Sequence, residues 1–452
     1  MSARQPTVRT LARRAALGAA LFAGATLAQA AIAIQHWTQP DGAQIYLVEA
    51  PAIPMVDVQI DFDAGGRRDP ADKAGLASAA AGLTSSGIAA RGNEPALDED
   101  ALGEAWTDLG ASFGASAGSD RMSFSLRSLT QADLLARAAQ LAARQMGEPA
   151  FPDAVWQRDR ARAIAALREA NTRPGAPAVR AFNRAVFGSH PYGYDASEET
   201  LGRIGVADMR AFYGQRIRAC RAKLSIVGAV TRAQAAQLAT TLLSRLPAGG
   251  CEAGADAPVP EVAALTRAED IRIPFDSAQA HVYIGQPGYR RADADHFALM
   301  VGNYTLGSGG FVSRLYSEVR EKRGLSYSVG SWFSPGLHAG AFGIALQTRP
   351  DQAQQAVEVS REVLARFVAE GPTEAELRAA KDNLIGGFPL LLDSNRKLLG
   401  NVANIAWSNL PLDYLDTWTQ KVEAVTAAEV RAAFARKLQP QRMVTVVVGA
   451  KP

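Results

Sequence analysis

Two stretches 221 residues apart in this 452-residue chain read as the same pair of elements. Residues 204–212 read IGVADMRAF and residues 425–433 read VTAAEVRAA, aligning Asp208 with Glu429 and Arg210 with Arg431. Just beyond, Tyr213 aligns with Phe434, and the same offset carries 225–228 onto 446–449. Each copy predicts a helix and then a short, buried, β-branched strand ending in Gly. The front ends also correspond. Residues 56–62 alternate like a strand before Gly65-Gly66-Arg67-Arg68, and 280–284 do so before Gly288-Tyr289-Arg290-Arg291 and a helix from about Ala294. A period this long is a whole domain, not a solenoid unit. The Gly-, Ala- and Pro-rich stretch 247–260 reads as the joint. The chain is thus expected to hold one half over 31–247, a linker over 248–270 and a second half over 271–452. At about 200 residues each, the halves have ordinary domain size. Strand and helix runs mix within each, with hairpin-like signals such as 110–126. This pattern predicts an α+β fold in which each half is a mostly antiparallel or mixed sheet covered by helices on one face.

Composition narrows the function. Hydrophobic residues at 48% and charged residues at 21% are globular values. A net charge of +3 without a basic block argues against nucleic acid as a partner. The N-terminus carries Arg4, Arg9, Arg13 and Arg14, then apolar 15–27, then Ala28-Gln29-Ala30. This is the pattern of a secretory signal peptide over 1–30, with the mature chain starting at Ala31. The apolar stretch is short for a bilayer, and no later segment offers eighteen uninterrupted apolar residues, so no stable membrane span is expected. Cys220 and Cys251 are the two cysteines; their spacing leaves a disulfide and two free thiols equally open.

Ordered motifs run along residues 35–450. They are residues 42–49 with Pro54-Met55-Val56-Asp57-Val58; Gly65-Gly66-Arg67-Arg68-Asp69-Pro70 with Ala74-Gly75-Leu76-Ala77; and 306–311 with Ser313-Arg314-Leu315 and 319–327. In this combination the chain resembles the insulinase/pitrilysin family of inverted-zincin metallopeptidases, of the bacterial two-chain, processing-peptidase-like type. The resemblance implies a clamshell half built from two similar α+β units. It also implies a periplasmic location and peptide substrates.

That family places HxxEH on its first long helix. Two His at i and i+4 share a helical face and can hold one zinc, and the Glu beside them serves as general base on the metal-bound water. Here the motif becomes Ser78-Ala79-Ala80-Ala81-Gly82. Ser78 and Gly82 stand where the His would be, and Ala81 stands where the base would be. Near the family's third ligand the chain has Asp159 and no Glu in Trp156-Gln157-Arg158-Asp159-Arg160. No two of His36, His190, His281, His296 and His338 lie four apart, so no substitute motif exists. His281 and His338 read as structural, and His190 as part of a loop that looks like a family feature without a metal role. Ser78 lacks a nucleophile elbow and a base. No metal is expected in this chain, and zinc is expected in a partner.

The C-terminal signature keeps chemistry. Residues 313–323 read as a helix ended by Gly324, with Arg320 in its last turn, and 325–329 read as a strand carrying Tyr327. In the family, an Arg and a Tyr at this spacing reach the substrate across the closed clamshell. A Tyr hydroxyl can donate to a developing oxyanion, and a guanidinium can grip a substrate carbonyl. Outside the motif, the same residues would read as a helix cap and a half-buried strand aromatic. Gly307, Gly309 and Gly310 lack the Gly-Lys-Ser/Thr ending of a phosphate loop and read as a flexible substrate-contacting loop. The resemblance implies a non-catalytic subunit that pairs with a homologous HxxEH-bearing chain. A stand-alone peptide-binding pseudopeptidase is the alternative.

Overall fold

The computed structural model describes residues 32–251 and 257–449. The expected signal peptide lies outside the described residues. Strands β1 (Gln35–Thr38), β2 (Gln44–Glu49), β3 (Met55–Phe62), β4 (Ser112–Ala117), β5 (Met122–Leu129) and β6 (Lys223–Gly228) form one sheet. Strands β7 (Glu269–Ile273), β8 (Ala280–Pro287), β9 (Val329–Phe333), β10 (Ala341–Thr348) and β11 (Val444–Val448) form the other. The orders are β1-β2-β6-β3-β5-β4 and β7-β11-β8-β10-β9. Leaving β1 aside, both sheets run parallel at the first pair and antiparallel at the next three. The sequence repeat is therefore one topology used twice. The second sheet opens at Glu269, just inside the expected linker.

The repeat holds residue by residue. Of the helices the argument uses, α1 (Leu76–Leu83), α2 (Gly175–Phe187) and α3 (Val206–Arg216) belong to the first half. Their counterparts in the second are α4 (His296–Asn303), α5 (Asn395–Trp407) and α6 (Ala427–Lys437). Asp208 Oδ2 accepts from the Gly205 N–H at 2.9 Å, and Glu429 Oε2 accepts from Thr426 at 2.8 Å. The matched acids thus close the first turns of α3 and α6. Tyr213 and Phe434 are both buried beneath. Gly228 and Gly449 have φ of +153° and +104°. A Cβ there would stand 2.3 Å from the Met55 oxygen and 2.6 Å from the Gln279 oxygen, so only Gly ends these strands.

Helices on one face of each sheet is too simple a picture. Helix α2 of the first half packs on β8 and β11 of the second sheet, and α5 of the second half packs on β6 and β3 of the first. Phe182 on α2 joins Val444, Val446 and Val448 in one buried cluster, while Val447, Val282 and Ile284 face the other way. Both faces of the sheet are thus covered. This is why β11 is buried at every position and reads as an unbroken β-branched run.

The first sheet receives its guest through charge. Asp61 is fully buried; it takes Arg121 Nη1 at 3.0 Å and Ser123 Oγ at 2.5 Å. Arg121 also donates to the Ala403 carbonyl at 3.2 Å, and Lys223 Nζ donates to the Ala406 carbonyl at 2.8 Å. Two cations thereby meet carbonyls in the last turns of α5, where the helix dipole favours positive charge. Cys220 and Cys251 form a disulfide with their Cα atoms 6.3 Å apart, settling what their spacing left open.

Phe182 is 2% exposed and lies 5.6 Å from Tyr283 and 6.0 Å from Trp332, ring to ring. Phe182→Ala should lower unfolding free energy by about 3–5 kcal/mol, read as a drop in the urea midpoint. A change below about 1 kcal/mol would show that the site collapses around the loss and that the helix exchange does not depend on this ring.

Candidate functional site

Helix α1 carries the degenerate motif. Ser78 and Gly82 lie one turn apart on its exposed side, and Ala81 faces the core at 1% exposure. A Cβ on Gly82 would meet nothing within 4 Å. Asp69 supports the helix by accepting from the Gly75 and Ala77 N–H groups at 2.9 Å each. Burial pushes its carboxyl up to about 6, against those bonds. The scaffold of a two-ligand face is present, but the positions offer a hydroxyl, a methyl and a hydrogen. These residues do not fit a zinc ion, which needs three protein ligands in a catalytic site. Asp159, the carboxylate near the third position, is engaged by Arg158 at 2.8 Å. Among the described residues, no three His, Cys, Asp or Glu side chains are grouped to hold a metal ion.

The second constellation starts where α4 continues into a wide turn, Tyr304–Ser308. Gly307 is not in the loop that the sequence suggested, whereas Gly309 and Gly310 lie in the connection that follows. Gly307 is the fourth residue of this turn, buried so tightly that a Cβ would lie 2.4 Å from Ser331 Oγ on β9. Ser331 Oγ in turn donates to Asn303 Oδ1 at 2.6 Å, tying turn to strand. A Cβ on Gly309 would strike the Tyr304 oxygen at 2.6 Å, whereas Gly310, with φ +59°, has open space. Close backbone packing, not flexibility, requires the first two.

The next helix is shorter than the 313–323 expected, and its core is a second wide turn, Tyr316–Glu321. Leu315 and Val319 are buried, while Lys322 reaches outward to Glu318 at 2.7 Å. Its ammonium needs a partner in water more than its stem needs the core. Arg314 anchors the turn with two 2.7 Å bonds to Glu376. Burial alone would raise the Glu376 carboxyl, but Arg314 and Thr373 hold it down at about 2. Gly324, at φ +61°, ends the helix, and its N–H donates to the Arg320 carbonyl at 2.9 Å.

Tyr327 lies before β9 and not on it, because the strand opens at Val329. Its flanks are pinned: Ser326 Oγ donates to the Gln347 carbonyl at 2.7 Å, and the Leu325 carbonyl accepts from Thr348 Oγ1 at 2.6 Å. Tyr327 itself stands 81% exposed. The Arg320 guanidinium lies 4.3 Å from its ring centroid, 4.6 Å from that of Tyr316 and 5.8 Å from that of Phe311. The helix-cap reading falls on Arg323, whose Nη1 donates to the Glu318 carbonyl at 2.8 Å. Arg320 is instead held flat among aromatics, and cation–π contacts of this kind contribute about 0.5–2 kcal/mol. Among the described residues, its guanidinium and the Tyr327 hydroxyl have no hydrogen-bond partner, so the donors of both face outward. Phe311 (73% exposed) and Val312 (67%) border the stack. Phe311 and Tyr316 escaped the sequence reading; aromatics within ten residues of a retained Arg were the available signal. The two constellations do not meet: α1 packs on α3, β4 and the 66–68 turn.

Comparison with known proteins fits this picture. The family profile described as "Peptidase M16 inactive domain" matches residues 203–384. A crystal structure of a peptidase M16 inactive domain from Pseudomonas fluorescens is 32% identical, with a TM-score of 0.86, over 93% of this chain and 98% of that one. The chain belongs to the M16 peptidase family. An uncharacterized zinc protease of Streptomyces coelicolor is 35% identical over 38% of this chain and 37% of its own length. The periplasmic protease PqqL of Escherichia coli shares the fold at 19% identity and TM-score 0.77, over 92% of this chain and 45% of that one. Thus the chain matches little more than a third of the Streptomyces relative. No helix among the described residues is long and apolar enough to cross a membrane. Within the family, this chain lacks the His, Glu and His of the zinc motif.

After dialysis against a weak chelator, the purified protein should carry well under one equivalent of zinc by elemental analysis. A tightly held equivalent would overturn the reading of Ser78, Ala81 and Gly82.

Proposed function

We propose that this chain is the non-catalytic subunit of a periplasmic zinc metalloendopeptidase. A homologous HxxEH-bearing chain supplies the metal, and Arg320 and Tyr327 complete its site. The observation that carries the reading is Tyr327, held by buried neighbours, stacked on Arg320 and left with a free hydroxyl in water. A structural aromatic would be expected to bury its ring. The hydroxyl is a donor of the kind that stabilises an oxyanion, and the guanidinium one that holds a substrate carbonyl. Strand β9, which opens two residues after Tyr327, is an edge of its sheet, where an extended peptide can add as a further strand. The signal-peptide pattern over 1–30 and the periplasmic description of PqqL support the compartment. The free edge equally favours a stand-alone peptide-binding pseudopeptidase, and one experiment separates the two.

Tyr327→Phe removes one hydroxyl and keeps the ring. Assembled with the zinc-bearing partner, the variant should turn over an unstructured peptide about 10²- to 10³-fold more slowly, with little change in KM. The oxyanion exists only near the transition state, so kcat should carry the loss. Unchanged turnover in a confirmed complex would leave Tyr327 without a catalytic part and favour the peptide-holding reading.

A further inference from the structure

A cavity of about 610 Å³ lies where the exchanged helices meet, within the size range of small-molecule sites. Its walls repeat the internal symmetry: the β4–β5 and β9–β10 turns, and the C-terminal parts of α2 and α5. Trp332 and Trp407 line it, with Phe182 and Phe187.

The polar groups of the wall are unbalanced. Asp120, its acid, is saturated. Oδ1 takes the Tyr192 hydroxyl at 2.6 Å and Arg67 Nε at 3.1 Å, and Oδ2 takes the Leu337 N–H at 3.0 Å. Arg121 is neutralised by Asp61 at 3.0 Å. Arg291 is not neutralised. Among the described residues its side chain makes one hydrogen bond, from Nη2 to the Tyr414 hydroxyl at 2.7 Å, and no ion pair. The acids that follow it, Asp293 and Asp295, are engaged by Lys437 and Arg436. The cavity therefore offers one uncompensated guanidinium and flat apolar walls, with no free carboxylate to oppose an anion. A planar fork of donors matches a carboxylate.

We propose that this cavity binds a small carboxylate carrying a flat apolar body, the anion on Arg291 and the body against Trp332 and Trp407. The ligand can be a free aromatic acid or the C-terminal residue of a peptide, since both present a carboxylate beside an apolar side chain. The site is separate from the Arg320–Tyr327 stack, none of whose residues line it.

Calorimetric titration of the full chain tests the assignment, with phenylacetate, phenylacetamide and the peptide Ala-Ala-Ala-Phe with a free C-terminus as probes. Saturable one-to-one binding of phenylacetate is expected, with a dissociation constant of about 1 mM or tighter. Phenylacetamide should bind about tenfold more weakly, because it has the same shape without the charge. Arg291→Met should bring phenylacetate down to the level of the amide, and Arg291→Lys should restore part of the difference. Arg349→Met, on an exposed ion pair with Asp351, should change nothing. Tighter binding of the peptide than of phenylacetate identifies a peptide C-terminus as the ligand; weaker binding identifies a free acid. Both results uphold the site. Equal binding of acid and amide to the wild-type protein overturns it, even if Arg291→Met fails to fold. So does the absence of saturable binding, or phenylacetate affinity unaltered in a folded Arg291→Met protein.

Discussion

The exchange of one helix between the halves is the constraint on which the rest of the structure depends. A sheet with one covered face can leave its other face polar and wet. Here α2 and α5 cover the second faces, so each half completes its fold only with a helix belonging to the other. The linker joins units that are already interlocked. The exchange also brings the β4–β5 and β9–β10 turns together around a shared cavity.

The two dockings solve the same packing problem with opposite chemistry. On the first sheet, Asp61 pairs with Ser123 and Lys223 across the strands. The equivalent places on the second sheet are Gly285, Gly343 and Val444. There the glycines leave room for aromatics: a Cβ on Gly285 would stand 2.8 Å from the Phe182 ring, and one on Gly343 would stand 2.3 Å from Trp332. One side thus buries a carboxylate with two cations, and the other fills the same space with rings. Burial raises the Asp61 carboxyl and lowers the Lys223 ammonium, so the ionic side holds its charges against desolvation. Removing one partner would strand a buried charge, which typically costs about 3–5 kcal/mol. The apolar side has no such dependence. The halves share a topology, but only the first sheet's docking rests on ionised groups.

Much of this was legible in the sequence where the physics is local. Helix caps, strand-ending glycines and β-branched runs are set within a few residues, and the 221-residue repeat exposed them twice. What stayed hidden is what depends on contacts between the halves. The alternation over 56–62 suggests a strand with one wet face, yet Asp57 and Asp61 lie buried beneath a helix more than 330 residues away. The unbroken apolar run of β11 did carry the signal that both faces are covered, but not the identity of the cover. At the candidate site, the residue types were legible and their settings were not. Hydrophobic spacing does not distinguish a wide turn from an α-helix, and the alternation of 325–329 hid that Tyr327 projects before the strand begins.

The two constellations have diverged in opposite ways on one frame. On α1 the helix persists with Asp69 at its start, but its outward face carries only Ser78 and Gly82, which can bind little. Around Arg320 the fold retains an arrangement that does not favour its own stability. Phe311, Val312 and Tyr327 remain mostly in water, although burying such a side chain is worth about 1.5–3 kcal/mol. Beneath them lie supports that a plain surface turn would not need: the Asn303–Ser331 pair, the Arg314–Glu376 fork and the Ser326 bonds. A rigid base under an exposed aromatic–guanidinium stack is what preorganised recognition requires, because the entropy of ordering is then met by the fold and not at the moment of binding. The Arg–Tyr stack thus sits on an ordered base, while the outward face of α1 offers only small side chains.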